Sequence, residues 1–117
     1  GLDLNFYSFQ NEIWFRDKEF FNNSNIKDLS KKSFSEIIGI IQNLDLAIST
    51  DTFFLHLSCI CSKETWGLIP LNADWRWYEY YKHNPYETLK IYRQSDYKSW
   101  DNVIQKLYTD LKNKFSI

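Results

Sequence analysis

Two short, unbroken apolar runs constrain the fold before any motif is considered. Leu46 to Ser49 and Thr65 to Ile69 are too short for helices, yet neither alternates as a strand with one wet face would. Strands of that kind are buried on both sides, which is the condition of a parallel sheet covered by helices. Leu89 to Arg93 is a further strand of the same length, and the aromatic-rich segment Leu4 to Gln10 reads as the first.

The intervening segments carry helical signals. Ser33 and Glu36 form a capping box ahead of Ile37, Ile38, Ile40, Ile41 and Leu44, a stripe at helical spacing expected to pack on the sheet. Thr50, Asp51 and Thr52, each able to cap a helix, precede a helical segment from Phe53 to Cys61. Ser99 is the expected cap of a last helix carrying Trp100, Val103, Ile104, Leu107, Leu111 and Phe115. Asn11 to Lys32 reads as a long loop with one helical turn at most, and Asn72 to Glu87 as a structured aromatic loop with a helical turn. The predicted class is α/β: a truncated, Rossmann-like, three-layer single domain over residues 1–117, with a mostly parallel sheet of about four strands and helices on both faces.

Composition narrows the functional classes. A chain of 117 residues supports one sizeable core. Fourteen basic against fifteen acidic side chains give a net charge of −1, so no field draws in nucleic acid or an anionic membrane, and neither partner is expected. No apolar run reaches the length of a membrane span; the stretch around Phe53 to Ile60 is broken by His56 and Ser58. Cys59 and Cys61 are badly spaced for a disulfide and read as small buried hydrophobes of a reduced, cytoplasmic protein. Two histidines without a cysteine pair exclude a zinc-type site, and no cofactor motif is present; three glycines cannot build a glycine-rich phosphate cradle. Gly1 reads as a cloning scar on a piece of something longer.

In a parallel sheet, ligands sit beyond the carboxyl ends of the strands, where loops run into helix amino termini. That rule selects the junction Ser49 to Phe54, where backbone N–H groups and a helix dipole suit a phosphate, and the loop Pro70 to Trp77. His56 lies one turn beyond Asp51 and Thr52 on the same face and can address a diphosphate, or it is a satisfied core group. In Asp74-Trp75-Arg76-Trp77, two indoles flanking an arginine either frame a base or sugar, or pack over the sheet end with an internal ion pair. No carboxylate pair is placed for hydrolysis, and no catalytic residue is assigned.

Taken together, Phe6-Tyr7-Ser8-Phe9-Gln10, Asn43 to Thr52 with His56-Leu57, Trp66-Gly67-Leu68-Ile69-Pro70, Asp74-Trp75-Arg76-Trp77, Leu89 to Gln94 and Trp100-Asp101 resemble a known family. It is the carboxyl-terminal, glycosyltransferase-like part of bacterial tetratricopeptide-repeat proteins, similar to heptosyltransferases and, more distantly, to O-GlcNAc transferases. The resemblance spans nearly the whole chain and implies the nucleotide-sugar (donor) binding half of a GT-B fold, incomplete for catalysis alone. It implies that Asp51, Thr52, Phe53 and His56 approach the donor diphosphate, that Ser8 and Gln10 border the nucleoside, and that Asp74, Trp75, Arg76 and Trp77 form a lid. The chain departs from the family pattern where Phe53 and Phe54 replace small residues, and Cys59, Ile60, Cys61 and Ser62 replace a glycine-containing stretch. Those departures support a rival reading: a structural or interaction module with a degenerate nucleotide pocket plugged by phenyl rings. A carbohydrate-binding module with Trp75 and Trp77 as its platform is a third. The strand that opens the donor domain in the family has no counterpart, so an unpaired sheet edge is expected to recruit a second copy. Light scattering over a wide concentration range should find a homodimer or higher oligomer; a monomer throughout contradicts that expectation.

Overall fold

The computed structural model describes residues 4–10, 15–73, 76–77, 82–96 and 98–116. In chain order the elements are β1 (Tyr7–Ser8), α1 (Phe15–Asn23), β2 (Lys27–Asp28), α2 (Phe34–Asn43), β3 (Ala47–Thr50), α3 (Phe53–Ile60), β4 (Thr65–Ile69), β5 (Leu89–Arg93) and α4 (Asp101–Phe115). β3, β4 and β5 form a parallel sheet with β4 central; β1 and β2 form a separate parallel pair. The α/β class is as expected, with helices on both sheet faces. The strands divide into sheets of three and two instead of one sheet of four.

Alternation along the central strand builds two cores. Gly67 and Ile69 face one side, where Leu55 and Cys59 of α3 pack with Leu89 and Trp77. Trp66 and Leu68 face the other, where Val103, Leu107 and Leu111 of α4 pack with Tyr92. Of the stripe expected on the last helix, Trp100, Val103, Leu107, Leu111 and Phe115 join this core, whereas Ile104 is half exposed. Gly67 allows close packing: a Cβ there would stand 2.9 Å from Leu55 Cδ1 and 3.3 Å from Leu89 Cδ1, so those side-chain ends would have to shift. Burial pushes the Cys59 thiol pKa up, and both cysteines are free.

The capping box of α2 is present, with Ser33 N–H donating to Glu36 Oε1 at 3.2 Å and Glu36 N–H to Ser33 Oγ at 3.3 Å. Its stripe, however, packs chiefly toward α3, and only Ile41 is buried. α3 already covers that face of a narrow sheet, leaving α2 outside it. The other side of α2 opens on a groove of about 620 Å³ lined by Tyr7, Leu29, Ile40 and Leu44 among others.

Three expectations need correction. The supposed loop from Asn11 to Lys32 holds α1 and β2; Asp17, Lys18 and Glu19 of α1 are all exposed, so no apolar stripe announces it. The first strand shrinks to Tyr7–Ser8, paired with β2 through Lys27 N–H to Phe6 O (3.0 Å) and Leu29 N–H to Ser8 O (2.7 Å). The cap of α4 is Trp100 rather than Ser99, whose Oγ instead accepts from Asp101 N–H at 3.1 Å.

A polar tether holds α4 to the sheet. Asp110 Oδ2 accepts from the buried Tyr92 hydroxyl at 2.6 Å and from Lys90 Nζ at 2.8 Å. The Lys90 hydrogen bond, then that of Tyr92, holds the Asp110 carboxyl below its ordinary 3.8, whereas burial followed by Asp110 pushes the Tyr92 hydroxyl up. A depressed carboxylate contributes stability above its unfolded value and loses it as pH falls through the folded one. Tyr92→Phe should cost about 1–2 kcal/mol in urea unfolding at neutral pH. The wild type should lose stability as pH drops below about 4, and Asp110→Asn should flatten that acid limb; an unchanged limb would exclude the tether as its source.

Candidate functional site

The site forms where β3 ends and α3 begins. Thr52 is the cap residue of α3, yet its hydroxyl makes no capping bond; it lies 2.9 Å from Ser49 Oγ, which also donates to Thr50 O. Of the three residues able to cap α3, none does so through its side chain. The first turn of α3 is thus bounded by backbone N–H groups and the positive end of its dipole.

Asp51 is turned toward the loop between β4 and β5. Its Oδ2 accepts from Trp77 Nε1–H at 2.9 Å, and its Oδ1 lies 3.8 Å from His56 Nε2. On the other side of the imidazole, Nδ1 is 3.1 Å from the Tyr86 hydroxyl, and the Tyr86 ring meets it edge-on at 5.8 Å. Asp51 and His56 are 37% and 35% exposed, so the pair is reachable from solvent. Trp77 is 3% exposed and belongs to the core beneath α3. Its indole therefore holds Asp51 and fills space, and offers no open face for a base or sugar to stack on.

The structure thus brings Asp51, Thr52 and His56 together at one helix start, as their spacing suggested. Phe53, in the first turn of α3, is 69% exposed and points to solvent with its ring 6.2 Å from that of Phe34. Phe54 stacks on Phe9 at 4.9 Å. Neither contact is that of a ring buried in a pocket. The Phe9–Phe54 stack also carries the Ser8–Gln10 segment alongside α3, where Gln10 N–H donates to Ser8 Oγ at 3.3 Å. Arg76 is exposed beside Trp77. Asp74 and Trp75, together with Tyr78, Tyr80 and Tyr81 of the same loop, lie outside the described residues.

One participant in the site escaped the reading of the sequence. Tyr86, thirty positions from His56, completes the cluster. Gln94 is 4% exposed and closes the carboxyl end of the sheet: its Oε1 accepts from Leu71 N–H and its Nε2 donates to Ser99 O, both at 3.1 Å. Among the described residues no helix is long and apolar enough to cross a membrane. No family model matches the chain, and no curated protein or solved structure matches it either.

The Trp77–Asp51 bond is separable from the burial of the indole. Trp77→Ala should cost about 3–5 kcal/mol by loss of core volume. In a double-mutant cycle of Trp77→Phe with Asp51→Ala, read by denaturant unfolding, the coupling should be about 1 kcal/mol; a coupling near zero would mean the bond carries no net stability.

Proposed function

We propose that this chain is the donor-binding part of a glycosyltransferase-like protein and receives the diphosphate of a nucleotide sugar at the amino end of α3. The observation that carries the reading is the release of Asp51 from capping. With Asp51 drawn to Trp77 and no side chain capping α3, an anionic group can meet the first-turn N–H groups beside His56. The place agrees with the general rule for parallel sheets, since it lies at the carboxyl end of β3. The motif order quoted above supports the class of ligand. Thr52 and Phe53 would contribute backbone donors, His56 an imidazole donor, and Ser8 and Gln10 a border for the nucleoside. Asp74, Trp75, Arg76 and Trp77 would form a lid, and the contact that supports this role is the hydrogen bond from Trp77 to Asp51. Nothing in this reading assigns a catalytic group to the chain, which would bind a donor for chemistry completed by another domain.

A second reading rests on the exposed Phe34–Phe53 pair, which suits contact with another protein surface. In that case the chain is a non-catalytic interaction module.

Calorimetry with a panel of nucleoside diphosphates and their sugars distinguishes the two. Donor binding predicts heat with at least one member, and a loss of affinity of roughly tenfold or more in His56→Ala, the worth of a hydrogen bond to a charged group. No heat with any member, together with loss of self-association in Phe53→Ser, would sink the first reading in favour of the second.

A further inference from the structure

The two ring nitrogens of His56 face chemically different neighbours. Nε2 lies 3.8 Å from a carboxylate oxygen of Asp51, beyond direct hydrogen-bond range. A carboxylate only accepts, so its field favours a hydrogen on Nε2. Nδ1 stands at hydrogen-bond distance from the Tyr86 hydroxyl, a phenol, which donates more strongly than it accepts and so favours an Nδ1 without a hydrogen. For the neutral ring both neighbours favour one direction: Tyr86 O–H donates to Nδ1, and the hydrogen sits on Nε2, on the side of Asp51. Trp77, bonded to the other oxygen of Asp51 and 6.1 Å from the imidazole ring, holds the carboxylate in place.

We infer that Tyr86 is a positioning residue: it fixes His56 as the Nε2–H tautomer, so that a neutral imidazole presents a spare, half-exposed N–H donor to an anionic oxygen beside the amino end of α3. The identity of that anion as a diphosphate rests on the donor-binding reading, whereas the tautomer does not. A tether between α3 and the segment before β5 would be served by either tautomer. Only the positioning role demands one.

The test is long-range nitrogen–proton NMR on the full chain, labelled with ¹⁵N and held at about pH 8.5, above the ordinary histidine pKa near 6.5. His83 is the other histidine and is assigned by His83→Asn. The expected wild-type pattern is an unprotonated Nδ1 and a protonated Nε2 on His56. Tyr86→Phe, which keeps the ring, should turn this into a mixture of tautomers, and Asp51→Asn should do so independently. Titration with inorganic pyrophosphate should then move the His56 Nε2 signal, with affinity roughly two- to tenfold weaker in Tyr86→Phe. A protonated Nδ1 in the wild type overturns the inference without recourse to any variant, and so does a tautomer unchanged by Tyr86→Phe. If the tautomer and its dependence on Tyr86 hold but pyrophosphate moves nothing, the positioning role stands and the donor-binding reading falls.

Discussion

The contact on which the rest of the structure depends is the seating of Leu55 over Gly67. β4 is the central strand of a narrow sheet and is flanked on both faces, so whatever covers it decides how close the helices can come. A hydrogen in place of a side chain at position 67 lets Leu55 and Leu89 meet above the strand, and α3 settles low on the sheet. That depth brings Leu55, Cys59 and Ile69 into one core with Trp77 and Leu89. The opposite face needs no such device, because Trp66 and Tyr92 supply the bulk that α4 packs against.

The candidate site is a consequence of the same packing. Trp77 contributes its ring to the core and its N–H to Asp51, so the side chain that fills the space beneath α3 also sets the carboxylate at the helix start. His56 is flanked by residues of two different loops, Asp51 before α3 at 3.8 Å and Tyr86 before β5 at hydrogen-bond distance. A donor group held this way loses little further freedom when a ligand arrives, which is the physical content of preorganisation. The exposed ring of Phe53 stands apart from this, outside the core and beside Phe34.

Much of this fold was legible because its strands and longer helices obey simple periods. β3, β4 and β5, the capping box of α2 and the stripe of α4 follow from apolar runs and helical spacing. α1 and β2 were not, for two reasons: a helix whose residues 17–19 are polar and exposed has no stripe to detect, and a two-residue strand has no period at all. The site was half legible. Asp51, Thr52 and His56 share a helix start, so spacing alone puts them on one face. Tyr86 and Trp77 reach them across the sheet, and no local pattern encodes a contact between residues 30 or 26 positions apart. Composition left Trp77 open between framing a ligand and packing over the sheet end, because an indole in a dense aromatic loop looks the same in sequence whether it faces solvent or the core.

Asp51 poses the sharpest electrostatic question for the proposed function, since a carboxylate beside the proposed phosphate subsite would repel the ligand. Its surroundings give the answer in structural terms. One oxygen is engaged by an N–H donor, the other faces an imidazole, and the residue lies at the positive end of a helix dipole. Each of these draws charge away from the open side of the helix start. In the proposed arrangement the carboxylate would act on a ligand through His56, by favouring a hydrogen on Nε2, and less as a bare negative charge. On this view Asp51 organises the donors around the site, and its engagement by Trp77 is what makes an acidic residue compatible with an anion at the same helix terminus.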